Sequence, residues 1–142
     1  MVQADNDTAP VAHRLPIGAD ELERVLMRLR RDSVDQQIRW TLGDYGACEL
    51  DATFLRVASG GPVAFAARGR LWDRAHLALA PVAIVISIRT REECEIEARP
   101  GALAPWWQRH PDQYRRLARA AVEELVQELL WCATTLRREQ RA

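Results

Sequence analysis

A chain of 142 residues with 48% hydrophobic and 28% charged residues has room for one core, and it has neither the composition of a disordered segment nor that of a low-complexity one. Twenty basic residues balance twenty acidic ones, which excludes the strongly basic footprint of a dedicated DNA or RNA binder. Every basic residue is Arg, so a lysine nucleophile, a Schiff base and a P-loop lysine are excluded as well, and the bias itself fits a GC-rich coding sequence.

Residues 1–10 include Asp5, Asn6 and Asp7 and lack an apolar signal core, so they read as a flexible tail with no signal peptide. Val11 to Ile17 forms a short first strand, limited by Pro16. Gly18 is placed as a helix N-cap, with Glu21 at the third helical position and Ile17 and Leu22 able to staple the first turn. Leu22, Val25, Leu26 and Leu29 then repeat at helical spacing and define one buried face, with Arg24, Arg28 and Arg31 away from it. This helix ends near Asp32.

The period next switches to two. Ile38, Trp40 and Leu42 alternate with polar neighbours, and Gly43-Asp44-Tyr45-Gly46 is a turn. Cys48, Leu50, Ala52 and Phe54 make the next inward set, and Ser59-Gly60-Gly61-Pro62 turns the chain again. Val63 to Trp72 is a strand, Asp73 to His76 a turn, and Leu77 to Ile88 a long apolar strand. That run is too short to span a bilayer and is interrupted by Pro81. Cys94, Ile96 and Ala98 alternate with Glu93, Glu95, Glu97 and Arg99, which places those carboxylates outward, guarding an edge strand. Hairpin-sized connections predict an antiparallel meander.

Pro100, Gly101 and Pro105 end the sheet. A long helix follows, from Pro105 or Pro111 to about Arg137, with a continuous stripe of Ala118, Val122, Leu125, Leu129, Cys132 and Leu136. It has the length to cover the apolar face of the sheet. The predicted fold is therefore α+β: one domain over residues 11–137, a curved antiparallel meander packed on a long C-terminal helix, with a short N-terminal helix and a tail at 138–142.

Alternation also predicts a register. Phe54 is expected opposite Phe65, Ala52 opposite Ala67, and Leu50 opposite Gly69. Trp40 is expected opposite Leu50, and Arg39, Asp51 and Arg68 form a charge ladder on the outer face. A solvated outer face accounts for that ladder more readily than a binding patch does.

The opening Val11-Ala12-His13-Arg14-Leu15-Pro16-Ile17, followed by Ala19-Asp20-Glu21-Leu22-Glu23-Arg24-Val25-Leu26, resembles the start of the START-like and polyketide-cyclase-like (SRPBCC) helix-grip domains. The terminal long helix after a meander extends the resemblance to about Arg137. The chain has one strand fewer than the family usually has, and one helix after the first strand where the family usually has two. The resemblance implies a hydrophobic pocket between sheet and C-terminal helix, binding an apolar or amphipathic small molecule, with cyclisation or dehydration as the enzymatic alternative. A protein-interaction domain with a filled core is the third reading.

Candidate chemistry is sparse. Cys48, Cys94 and Cys132 are widely spaced and fall on inward faces, which fits buried thiols in a reducing cytoplasm. No histidine pair has metal-ligand spacing, and no cofactor motif occurs, so neither a metal nor a cofactor is expected. Small residues (Ala52, Ala67, Gly69 and Ala98, facing Ala118 and Ala121) either line a cavity or let the helix pack close. The expected ligand-binding residues are Trp40, Phe54, Arg56, Phe65, Trp107 and Tyr114. Arg56 lies on the inner side of its strand, where it can fix a ligand carboxylate unless a bulge near Leu55 turns it outward. An enzyme would have to use Tyr114, Arg56 or His76 as its inward polar group. His76 and His110 read more readily as surface loop histidines than as an acid or base.

Trp72, Leu77 and Leu79 fall on the outer face, where they form a second apolar patch unless a bulge at Pro81 turns them in. Trp131 lies nearly opposite the helix stripe, among polar residues. It predicts a homodimer through that face, with Leu117 and Trp106 on nearby flanks.

Overall fold

The computed structural model describes residues 10–44, 46–57 and 61–141, and its elements follow the switch from period two to helical period. They are β1 (Val11–Leu15), α1 (Ala19–Asp32), β2 (Gln37–Leu42), β3 (Gly46–Asp51), β4 (Leu55–Val57), β5 (Ala64–Asp73), β6 (Ala78–Ile88), β7 (Cys94–Pro100), α2 (Pro105–Arg109) and α3 (Pro111–Arg141). The strands form one antiparallel sheet in the order β1-β7-β6-β5-β3-β2, with β4 also paired to β5. The sheet curls into a half-barrel along α3, an α+β arrangement consistent with a helix-grip fold.

The stripe on α3 is what the sheet closes over. Ala118, Val122, Leu125, Leu129 and Cys132 are buried, and Leu136 is half-buried at the end of the same line. Leu50, Leu71, Ile84, Ile96 and Ala98 are buried in the same core from the sheet side. The predicted long helix is divided at His110 (φ −131°, ψ 56°), because a proline ring excludes helical geometry from the residue before it. Its far end runs through Arg141, past the limit expected at Arg137, and ion pairs tie it to α1: Arg137 to Glu21 at 2.6 Å and Arg28 to Glu139 at 2.8 Å.

Two parts of the expected register are corrected. Leu42 pairs with Gly46, so the β2–β3 hairpin closes two residues tighter than expected and Trp40 lies opposite Cys48, not Leu50. A slip of two keeps every side chain on its face but exchanges charge partners. Arg39 therefore meets Glu49, and the outer ladder is Arg39–Glu49–Arg70 rather than Arg39–Asp51–Arg68. The β3–β5 register is as expected from Gly46 to Leu50, with Leu50 opposite Gly69.

Beyond Asp51 the ladder breaks. The Ala52 amide donates to the Gln36 carbonyl at 2.8 Å, and the Thr53 amide to the Asp51 carboxylate at 2.9 Å. The chain rejoins β5 two residues out of step as β4, so Arg56, not Phe54, lies opposite Phe65. This break makes the seventh strand. Of the turns, Tyr45 and residues 58–60 lie outside the described residues, as does the expected tail except for Pro10.

The N-terminal strand changes the reading of β7. β1 pairs along it from Val11 opposite Ala98 to Leu15 opposite Cys94, so β7 is not an edge strand. Its outward carboxylates answer arginines instead: Glu93 with Arg14 at 2.8 Å, Glu95 with Arg89 at 2.7 Å, and Glu97 with Arg99. Gly18 follows as the N-cap of α1 with extended backbone (φ −79°, ψ 165°) and no side-chain cap. A Cβ on it would collide with the Arg91 carbonyl oxygen, which accepts from the Ala19 amide at 3.2 Å. Glycine is thus required by space and not by φ. Serine is ordinarily as good an N-cap as any or better. Here Gly18→Ser is expected to lower stability by about 1–3 kcal/mol, the usual cost of overpacking, in urea unfolding of the variant beside wild type.

Candidate functional site

The space between sheet and α3 is occupied by side chains. Trp107 and Tyr114 are both 1% exposed and meet edge to face, ring centroids 6.0 Å apart. The Trp107 indole N–H donates to the Leu79 carbonyl at 3.1 Å and pins α2 to β6. Tyr114 enters the core beside Cys48, and burial, reinforced by that neighbour, pushes its hydroxyl far above its ordinary pKa. Burial likewise pushes the Cys48 thiol up to about 12. All three cysteines are buried and free, as their inward positions predict. The Trp40 indole N–H and the Tyr114 hydroxyl are buried and have no hydrogen-bond partner among the described residues.

The six residues expected to bind a ligand separate into two groups. Trp40, Trp107 and Tyr114 pack into or against the core. Phe54, Arg56 and Phe65 come together at the opposite side of α1, in a groove of about 300 Å³ between α1 and β4. Arg56 stands opposite Phe65 and so on the same side of the sheet, the inner parity expected of it; the break in the ladder precedes it and does not reverse it. It is nevertheless exposed, as are all three residues of β4.

α1 supplies the other wall with Leu26, Met27, Glu23 and Arg30. Met27 is exposed beside Leu55, a large apolar pair at the rim. Arg30 and Met27 were not visible as site residues, because they lie off the buried stripe of α1. A methionine off that stripe is the one signal the sequence carries for them. Among the described residues neither Arg30 nor Arg56 is in an ion pair.

A polar cluster also forms where α2 and α3 meet the β5–β6 hairpin. Asp73 is 1% exposed; its carboxylate accepts from the Gln113 side chain at 2.7 Å, from the His76 amide at 3.1 Å, and from His76 Nδ1 at 3.2 Å. Burial opposes its ionisation, but the bonds from His76 and Gln113 outweigh it and hold the carboxyl below its usual range. A carboxylate only accepts, so in the neutral ring the His76 proton sits on Nδ1, toward Asp73. His110 is oriented the same way, Nδ1 donating to the Trp106 carbonyl at 2.7 Å, and Trp106 stacks on it at 4.3 Å. The Asp73–His76 spacing was visible in the sequence as a turn; the reach of Gln113 from α3 was not.

Trp131 is 64% exposed, in a groove of about 290 Å³ shared with Ile38 and Arg39 of β2. Its expected companions are elsewhere. Leu117 is buried, and Trp106 packs against His76 and His110. On the outer face Trp72, Leu77 and Leu79 are exposed and do form the second apolar patch; β6 continues unbroken through Pro81, opposite Arg70. No helix among the described residues is long and apolar enough to cross a membrane, and none of their carboxylates, imidazoles and thiols gather in groups of three or more that could hold a metal ion.

No protein-family model matches the chain, and neither a curated protein nor a solved structure matches it. The candidate site therefore rests on its geometry.

An unpaired buried hydroxyl costs about 1–3 kcal/mol relative to a shape-matched apolar group. Tyr114→Phe is therefore expected to raise the unfolding free energy by about 1 kcal/mol in denaturant titration. Unchanged or lower stability would mean that the hydroxyl has a partner.

Proposed function

We propose that the chain is a small-ligand-binding module of the START-like kind, and that its ligand is amphipathic with a single anionic group. The reading rests on one observation: the α1–β4 groove has an apolar floor of Phe54, Phe65 and Leu26 beneath two guanidiniums, Arg30 and Arg56, that lack acidic partners among the described residues. Arginine presents a planar fork that suits a carboxylate, and a few such groups over an apolar lining are the usual make-up of a ligand site. Glu23 on the same rim disfavours a second negative charge. The sheet–α3 interface, where the family resemblance implies the pocket, is filled, so the site moves to the end of the half-barrel beside α1. A cyclase- or dehydratase-type activity has less support. Tyr114 is buried and held neutral, and His76 does not line the α1–β4 groove.

Thermal unfolding with decanoate, laurate and 2-naphthoate tests this. A bound carboxylate at about 100 times its dissociation constant adds about 2.7 kcal/mol of stability. Arg30→Ala/Arg56→Ala is expected to abolish the shift, and decanol to give a smaller one than decanoate. No shift with any carboxylate, or equal shifts in the double variant, would overturn the reading.

We also propose self-association through the Trp131 face. A second copy covering this corner buries the exposed indole beside the unpaired edge of β2, and two-fold pairing is the commonest assembly of soluble chains. Sedimentation is expected to show a dimer at high micromolar concentration that Trp131→Ala weakens by about 2 kcal/mol. A wild-type monomer, or a dimer indifferent to the substitution, would count against it.

A further inference from the structure

The outer face of the sheet carries an arrangement that the ligand reading does not use. The observed register sets Thr41, Ala47, Trp72 and Leu79 in one row across β2, β3, β5 and β6. The next row is Arg39, Glu49, Arg70 and Pro81. Alanine is too small to fill the gap between its neighbours, and a groove of about 530 Å³ opens there, walled by Trp72 and by the guanidiniums of the second row.

We propose that this groove docks an extended acidic segment of a partner protein, with one apolar side chain seated against Trp72. Charge is the first argument. Arg39, Arg70 and Arg74 line the groove against one carboxylate, Glu49, which Arg39 and Arg70 already share at 2.8 and 2.6 Å. Arg74 is in no ion pair among the described residues. The surplus is positive, so the occupant is negative. A second copy of this face would oppose like charge to like.

Apolar exposure is the second argument. Trp72, Leu79 and Leu77 are 39%, 41% and 79% exposed on this face. Leu77 also adopts φ 50°, a conformation that favours glycine and asparagine over leucine. The chain thus holds a bulky apolar side chain outward in a backbone conformation that disfavours it.

Spacing is the third argument, and it sets the partner's pattern. Arg70, Trp72 and Arg74 follow one another at every second residue, the last just past the end of β5. Same-side residues of an extended chain recur about every 6.8 Å, so a segment running alongside β5 matches them with acid–x–apolar–x–acid. Its carboxylates meet Arg70 and Arg74 while its central side chain covers Ala47 against Trp72. A concave groove with a carboxylate in its wall suits such a segment better than a flat lipid surface.

The test uses fluorescein-labelled decapeptides in polarisation titrations against the full chain. One carries Glu-Ser-Leu-Ser-Glu, one Ser-Glu-Leu-Glu-Ser, one Lys-Ser-Leu-Ser-Lys. The first is expected to bind at least tenfold tighter than the other two and to weaken as salt rises. Trp72→Ala and Arg74→Glu are each expected to weaken it at least tenfold. Leu77→Gly, which relieves the backbone and so folds at least as well as wild type, is expected to weaken it several-fold. No saturable binding at millimolar peptide, equal binding of the lysine peptide, or binding to phosphatidylserine vesicles without binding to the peptide would overturn the proposal.

Discussion

The long stripe on α3 needs an apolar cover, and the concave side of one curled sheet supplies it. Ala67 and Ala98 on the sheet and Ala118 and Ala121 on the helix are buried in one core with the larger Leu50, Leu71, Ile84 and Ile96. Burial of this kind contributes about 25 cal/mol per Å² of apolar surface, so the closest fit is also the most stable. The consequence for function is spatial. Side chains fill the space between helix and sheet, and the grooves lie instead at the rim beside α1 and on the outer face.

The net charge of zero conceals an uneven distribution. Along β1, β7 and the far ends of α1 and α3, arginines meet carboxylates: Arg14, Arg89, Arg99, Arg28 and Arg137 each have an acidic partner. Exposed pairs of this kind contribute little to stability, but they occupy the charges involved. Arg30 and Arg56 at the α1–β4 groove, and Arg74 at the β5–β6 hairpin, have no acidic partner among the described residues, and all three border exposed apolar side chains. At these two places unpaired positive charge and exposed apolar surface coincide, which is the combination that anionic amphipathic molecules and acidic segments recognise.

Much of the architecture was legible because periodicity records it. The α1 face from Leu22 to Leu29, the α3 stripe and the inward sets of β3, β5, β6 and β7 follow directly from spacing. Registers were harder. The β2–β3 slip preserves the face of every residue, so no apolar pattern distinguishes Trp40 opposite Cys48 from Trp40 opposite Leu50. The break at Ala52 is set by a backbone bond to Gln36, which belongs to a different strand's approach and leaves no mark on local alternation. For the same reason the grouping of Phe54, Arg56 and Phe65 with Arg30 was out of reach. Those side chains come from three elements whose juxtaposition is decided by packing. The reason for Gly18 was hidden too, since the carbonyl it makes room for is at Arg91.

The pairing of β1 with β7 joins the first strand of the sheet to the last. During synthesis, β1 leaves the ribosome before the other strands of this sheet, yet its partner is made only after the rest of the sheet. At about 5–20 residues per second, that interval lasts several seconds. Over that time the hairpins from β2 to β6 have neighbours in sequence to fold with, while β1 has none, and Gly18 waits for the carbonyl of Arg91. Closure of a long loop of chain carries an entropic cost that grows only slowly with its length, so the delay is kinetic more than thermodynamic. Until β1 arrives, β7 presents an open edge with alternating carboxylates, and those charges, paired in the finished protein, repel a second nascent chain from adding there.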